Sequence, residues 1–524
     1  MPITIDESLP VPRPRPGRND YTPRRPESTV LHQAVSATLE PFFARARSEN
    51  RCVPRFVERE LRAFLECGVL EFGFLRLHCD DCGLDRLLPF SCKGRAFCPS
   101  CGGRRMADTA AHLVDRVFPE VPVRQWVLTL PVALRYRMAY DADLTSAVLR
   151  EFLRVIFGSL RRRARSGGRR IRYPQCGAVT FIQRAGDALN LNVHFHSLVL
   201  DGVYDFNDPL GPRFIVLPPP DDDEVLRVIS RFAVCLRRLL ERAGLGTDAD
   251  PAEADRFSAE QPLLAGLAGA SAQLRVATGP NAGRPLRRLG DRINADVTAD
   301  FEGPRCVSLA GISLHADVCV PARDRRRLER LSRYAARPPL STERLSWRED
   351  GRLQYRLRHR WRDGTTHMLF EGVELVERLA ALVPPPRFHT VRYNGILAPA
   401  ASCRDRVVPA ARSCSVAAGT EETRTTGQEG HGSTATASDA PPADPLRAES
   451  SADRRRRLSW SELMQRVFAI DVLECPRCQG RLRILAAITS PTAVRAIMEC
   501  MGTGSGSRAP PALSETPAED LFAS

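Results

Sequence analysis

Residues 190–200 read Asn190-Leu-Asn-Val-His194-Phe195-His196-Ser-Leu-Val-Leu200, two histidines flanking one bulky apolar residue in a strand-like run. Side chains alternate faces along a strand, so His194 and His196 point the same way, about 7 Å apart, while Val193, Phe195 and Leu198 serve the packing. Two imidazoles so placed can grip a single divalent cation. The bare spacing also fits a half-buried strand with two solvated histidines. Its company argues for more: a basic chain, a zinc-type cysteine array and a tyrosine on an arginine-rich helix. Together these imply metal-assisted cleavage of single-stranded DNA.

The cysteine array comprises Cys79-Asp-Asp-Cys82 and Cys98-Pro-Ser-Cys101, two Cys-x-x-Cys pairs separated by fifteen residues. That is the spacing of a zinc ribbon or knuckle, in which two tight turns complete a tetrahedral four-sulfur shell. Cys79, Cys82, Cys98 and Cys101 are therefore expected to hold one Zn2+ in a closed, structural site. Lys93, Arg95, Arg104 and Arg105 would give this module a cationic face. Cys92 and His78 are alternative ligands, Cys92 reading more readily as a packed thiol. Cys475-Pro-Arg-Cys478 supplies two further ligands, with Cys500 the only other cysteine nearby. A half-ribbon completed elsewhere, a remnant and a plain turn all fit it.

Tyr334 lies in Arg325-Arg-Arg-Leu-Glu-Arg-Leu-Ser-Arg-Tyr334-Ala-Ala-Arg337, where Leu328, Leu331 and Ala335 make an inward helical stripe. Arg327, Arg330 and Arg337 fall on the tyrosine's face by spacing, where guanidinium groups would bind phosphates and favour a phenolate nucleophile. The alternative is an ordinary interfacial tyrosine on a solvated basic helix. Residues 161–172 hold seven arginines in twelve positions, led by Arg161, Arg162 and Arg163. Such a run is either a solvated loop or a clamp for backbone phosphates.

The elements that must position these groups follow from periodicity. Helical patterning starts at Ser28, residues 125–131 read as a buried strand, and 141–163 as an amphipathic helix. Residues 178–183 and 190–200 form a hairpin, a helix covers about 223–243, and 312–320 is another strand. A helix over 323–336 is stopped by Pro338-Pro339, and 345–395 alternates in β fashion. The mixture lacks βαβ regularity and predicts an α+β fold with an antiparallel sheet. We divide the chain into a disordered segment (1–27), a zinc-binding domain (28–115) and a nuclease domain (120–400, with an insertion near 205–300). A flexible linker (401–456), a small C-terminal module with its Cys-x-x-Cys (457–502) and a disordered tail (503–524) follow.

The formal charge of +14 over 524 residues asks for a polyanionic partner. Lys93 is the only lysine, an arginine bias typical of a GC-rich genome. No apolar stretch is long enough to span a membrane, and the Pro/Arg-rich N-terminus is not a secretory signal. Sixteen cysteines without a secretory signal suggest metal sites and buried thiols in a reduced bacterial cytoplasm, at the nucleoid.

The chain resembles the rolling-circle transposases of the insertion-sequence-ninety-one and insertion-sequence-common-region group, in the HUH endonuclease superfamily. The matching stretches are Ser91 to Met106, Gln125 to Pro131, Val179 to Arg184, Asn190 to Tyr204, Arg333 to Pro339, Val391 to Gly395 and Leu397 to Pro399. The resemblance implies an N-terminal transposase zinc-binding domain and an HUH domain whose central strand carries the histidines. It makes His194 and His196 the motif histidines, binding Mg2+ or Mn2+, and Tyr334 the nucleophile. His315 is the candidate third ligand and Gln183 a weaker one. Some relatives carry two tyrosines four residues apart, whereas here the position four before Tyr334 is Arg330, so the chain looks single-tyrosine. The implied activity is nicking and rejoining of single-stranded DNA at transposon ends through a 5′-phosphotyrosine, the free 3′-hydroxyl then priming the host replication machinery. A plasmid replication initiator or relaxase, and an inactive DNA-binding regulator, are the alternatives.

Overall fold

The computed structural model describes residues 24–166, 171–245, 256–290, 303–409 and 458–501. Residues 1–23 of the expected N-terminal disordered segment, the C-terminal one and most of the expected linker lie outside these residues, whereas Pro26 is buried in a short helical turn, Pro26–Ser28. In chain order, α1 (Val30–Ser48) and α2 (Arg55–Glu66) precede the hairpin β1 (Phe74–Cys79) and β2 (Asp85–Pro89), then α3 (Pro99–Arg116). Next come β3 (Val123–Thr129), α4 (Val132–Tyr140), α5 (Ala142–Ser166), β4 (Gly177–Ala185) and β5 (Leu191–Leu200). The short hairpin β6 (Gly202–Asp205) and β7 (Arg213–Val216) leads to α6 (Asp222–Arg242), α7 (Arg256–Glu260), α8 (Pro262–Ala272) and β8 (Arg287–Gly290). Strands β9 (Cys306–Leu309), β10 (Ile312–His315) and β11 (Cys319–Val320) precede α9 (Arg325–Ala336). The remainder is β12 (Leu345–Trp347), β13 (Leu353–Arg356), β14 (Thr365–Phe370), α10 (Gly372–Leu382) and β15 (Val391–Gly395), then α11 (Trp460–Phe468), β16 (Leu482–Ile488) and α12 (Pro491–Cys500).

The fold is α+β. Its main sheet runs β15-β4-β5-β3-β10-β9, with β11 also paired to β3, and every pairing is antiparallel. Strand β5 has a partner on both sides, so it can be buried on both faces without leaving backbone groups unpaired. Its alternation separates two cores. Val193, Phe195 and Val199 pack with the apolar stripes of α4, α5 and α6, whereas Leu198 and Leu200 join Val179, Phe181 and the inner faces of α3 and α9. His194 and His196 share the parity of Leu198, which puts them beneath the α9 side.

Several helices carry the start signals their sequences predict. Asp221 caps α6 and Asp324 caps α9, each side chain accepting from a backbone N–H three residues on. Helix α10 breaks the β alternation read for 345–395. Glu371 and Glu374 form a capping box there, a local signal strong enough to start a helix within an apolar run.

Packing crosses several of the expected domain boundaries. Residues 28–115 do not close a core of their own: Leu31, Val35, Phe42 and Leu61 bury against residues of α8 and α10. Residues 457–502 are not a separate module either. Strand β16 pairs with β1 over Phe74–Cys79, and Leu463 of α11 packs on Ala107 and Ala111 of α3. The segment read as an insertion is likewise tied to the sheet, since Ser271 Oγ of α8 accepts from the Leu191 backbone N–H at 2.9 Å. Residues 401–409 also pack, with Val407 buried, so the expected linker cannot begin at 401.

Candidate active site and metal centres

Across β5, His194 stands opposite Gln183 of β4 and Thr129 of β3, while His196 stands opposite Phe181 and Val127. The two imidazoles are 5.0 Å apart between ring centroids, their planes inclined at 62°. His194 Nδ1 donates to the Asn192 carbonyl at 2.7 Å, which leaves Nε2 as the bare nitrogen. The Gln125 side-chain amide lies 2.8 Å from His196 Nδ1; with that amide turned so that its oxygen accepts the Nδ1 proton, the buried and unpartnered His196 Nε2 is the bare nitrogen. Burial holds His194 down to about 4 and is also the first cause of a low value at His196, ahead of the neighbouring His194 charge. Both rings are therefore neutral, the form that binds a cation. An orphaned buried nitrogen costs roughly 1–3 kcal/mol unless a ligand meets it, so these residues fit a divalent ion.

The expected third ligand is repositioned. His315 of β10 faces Val127, which in turn faces His196, so two strand spacings of about 4.8 Å each separate β10 from β5. Among the described residues, the only sets of three or more His, Cys, Asp or Glu ligand atoms within 4.8 Å of one another are two cysteine sets. His315 is thus not gathered with the pair. Gln183 is the direct cross-strand neighbour of His194, and its Nε2 donates to the Ala335 carbonyl at 2.7 Å, which leaves Oε1 without that bond.

Tyr334 reaches this face from α9, its ring centroid 5.9 Å from that of His196. The Arg337 guanidinium lies 4.1 Å over the Tyr334 ring, and its Nη1 is buried without a partner. Two arginines that spacing did not single out share the neighbourhood. Arg358 feels the charge of Arg337 and of Tyr334, and with Arg337 it disfavours protonation of His196. Arg135 acts likewise on His194. Arg327 instead lies near the Cys319 thiol, and Arg330 is exposed. The arginine run is engaged within the fold: Arg161 donates to the Pro174 carbonyl at 3.1 Å, Arg162 pairs with the buried Glu224, and Arg163 donates to the Pro218 carbonyl.

The cysteines form two four-thiol sets, not the single set read from spacing. Cys67, Cys92, Cys98 and Cys101 make one; Cys79, Cys82, Cys475 and Cys478 make the other. Cys79 and Cys82 are thus separated from Cys98 and Cys101, and Cys92 is a member of a set, not a packed thiol. In the first set the Cys67 and Cys101 sulfurs are 3.7 Å apart, Cys92 and Cys101 3.4 Å, and Cys67 and Cys98 3.6 Å. Thiolates at about 2.3 Å around a tetrahedral zinc lie about 3.8 Å from each other, whereas a disulfide needs about 2.05 Å. The set sits at the α3 N-terminus, where the helix dipole favours negative sulfur. A β-carbon added at Gly102 would meet Pro338 at 2.7 Å, so this glycine lets α3 approach the end of the tyrosine helix.

Comparison with known families gives two matches. Residues 38–130 match a transposase zinc-binding domain, and residues 226–406 match a putative transposase family. Neither the curated proteins nor the solved structures gave a match. Together the two matches support a transposase of the insertion-sequence-ninety-one (IS91) type, a class that implies a DNA-cleaving enzyme. The zinc-binding match contains the whole of the first cysteine set, consistent with structural zinc. Among the described residues no helix is long and apolar enough to cross a membrane.

Proposed function

We propose that this transposase nicks and rejoins single-stranded DNA at transposon ends, with Tyr334 as its single nucleophile. The observation that carries the reading is the Tyr334 ring, 5.9 Å from the His196 ring and covered by Arg337, above two neutral buried histidines. His194 and His196 would hold Mg2+ or Mn2+, and of the two candidate third ligands Gln183 is the nearer by register, one strand from the pair against two for His315. When bound, such an ion supplies Lewis-acid polarisation of the scissile phosphate.

The protein's own groups do the rest. Arg337 and Arg358 bind the phosphate oxygens on either side of the nick and offset the charge that builds there. The Tyr334 phenol oxygen, its proton lost to solvent, bonds to phosphorus as the bond to the 3′-oxygen breaks. That oxygen takes a proton and leaves as a free 3′-hydroxyl, which can prime host replication. The phosphodiester energy is kept in the 5′-phosphotyrosine, so attack by a 3′-hydroxyl reverses the step and joins strands.

The test is cleavage of labelled oligonucleotides carrying the element's ends, single-stranded and duplex, with Mg2+ or Mn2+. Single strands are cut and duplexes are not. Changing both His194 and His196 to alanine abolishes cutting and leaves DNA affinity near the wild-type value, because phosphate contacts come from arginines. Cleavage by that double variant, or equal cutting of duplex, would reject the proposal.

A further inference from the structure

The structure assigns a second metal site, independent of the tyrosine chemistry: we propose that Cys79, Cys82, Cys475 and Cys478 bind one Zn2+ that joins the two ends of the described chain. The zinc-binding family match ends at residue 130, so it does not account for Cys475 or Cys478.

Both halves are the same device. In the first turn the Cys79 N–H donates to the Leu84 carbonyl and the Gly83 N–H donates to the Cys79 carbonyl, each at 2.9 Å. In the second, the Cys475 N–H donates to the Gly480 carbonyl at 2.8 Å and the Gln479 N–H to the Cys475 carbonyl at 2.9 Å. The offsets are identical, plus five and plus four from the first cysteine. The residue after each second cysteine has a positive φ, 71° at Gly83 and 65° at Gln479. Such a turn turns two thiols toward one point.

The two turns meet face to face. Cys79 and Cys478 sulfurs are 3.4 Å apart, Cys82 and Cys475 3.5 Å, too far for disulfides and close to the edge of a zinc tetrahedron. A β-carbon at Gly480 would overlap the Asp81 carboxylate and come within 3.3 Å of Cys478 Sγ, so a larger residue there would have to displace Asp81. The β16–β1 pairing reaches Cys79↔Leu482 and fixes the register, while Arg483 pairs with Asp80 at 2.6 Å. Four soft thiolates in tetrahedral array select zinc over hard cations, and binding releases their protons.

This closure has a consequence for the rest of the molecule. It fixes the segment whose helix α11 lies on α3, and Arg466 of α11 bridges Asp115 of α3 and Glu329 of α9. Glu329 is also paired with Arg333, next to Tyr334. The second zinc therefore braces the tyrosine helix from a segment far away in sequence.

The test begins with metal analysis of the purified full chain. It should hold about two zinc ions, falling to about one in the Cys475→Ser/Cys478→Ser variant; two in the variant, or one in the wild type, overturns the site. A second measurement uses wild type alone, so it does not depend on how the variant folds. In zinc-loaded protein, alkylation mapped by mass spectrometry should spare Cys475 and Cys478 while the exposed Cys52 and Cys500 react. Chelation should make Cys79, Cys82, Cys475 and Cys478 react together. Cys478 reacting as fast as Cys500 in loaded protein would also overturn the site. Hydrogen exchange in residues 460–468 should quicken on chelation, and unchanged protection there would reject the bracing.

Discussion

The Gln183 side-chain amide donates to the Ala335 carbonyl at 2.7 Å, tying the sheet beside His194 to the turn of helix that carries Tyr334. One residue thus sets the distance between the proposed metal pair and the proposed nucleophile. Gln183→Leu keeps the volume and removes both the donor and Oε1. Nicking should fall about 10–100-fold, the usual effect of losing a group that orients a metal site. DNA affinity should stay within about twofold, since no phosphate contact is lost. Comparing nicking rates with binding isotherms checks this, and an equal loss in both would mean that Gln183 contacts DNA.

Arg337 and Arg358 stand together beside Tyr334, and Arg358 is held below its ordinary value by desolvation first and then by Arg337. A phosphate would relieve that repulsion. Each phosphate neutralised on a single strand contributes roughly 0.7 to the slope of log affinity against log salt. The slope should therefore flatten by about that amount in Arg337→Gln and again in Arg358→Gln. Arg162→Gln should leave it unchanged, because Arg162 is paired with Glu224. A flattened slope in Arg162→Gln would return the arginine run to a DNA-binding role.

Arg124 of β3 and Asp201 at the end of β5 form a buried pair at 2.7 Å, and Arg124 also donates to the Ala316 carbonyl at 3.0 Å. Arg124→Met strands a buried carboxylate and should lower stability by about 3–5 kcal/mol. Adding Asp201→Leu should recover most of that. Urea denaturation of the three proteins tests it, and a single variant within about 1 kcal/mol of wild type would contradict the account.

Grouping of the cysteines makes a sharp prediction. Cys67→Ser and Cys79→Ser fall in different sets, so each should lose one zinc and the double variant two. Had Cys79, Cys82, Cys98 and Cys101 shared one ion, Cys67→Ser would leave zinc content unchanged. The first set holds the start of α3, so Cys67→Ser should also disorder residues 92–106.

The periodic parts of the fold were legible in the sequence. Alternation from Leu191 to Leu200 and the Leu328/Leu331/Ala335 stripe are read directly from residue type, and strand β5 and helix α9 follow within a few residues. What periodicity cannot supply is partnership over long separations. Cys82 and Cys475 are 393 residues apart, and a Cys-x-x-Cys pair carries no mark of which second pair completes it. Cys67 stands alone in sequence, 25 residues before Cys92, with no spacing motif to mark it as a ligand. His315 had the right residue type on the right face, yet register put Val127 between it and His196. Arg358 belongs to an alternating run, Arg356, Arg358, Arg360 and Arg362, at and beyond the end of β13, and nothing in that run marks which arginine the folded chain brings to Tyr334.

The central claim is that Tyr334 makes the covalent bond, and the labelled end of the DNA tests it most directly. Single-stranded end oligonucleotides labelled at the 5′ or the 3′ terminus are incubated with wild type or Tyr334→Phe and a divalent metal, then resolved under denaturing conditions. With wild type the 3′ label should migrate with the protein and the 5′ label should appear as a shortened strand with a free 3′-hydroxyl. Tyr334→Phe should bind DNA and form no adduct. An adduct in Tyr334→Phe would give the bond to another residue, and cutting by wild type without any adduct would make water the nucleophile and contradict the account.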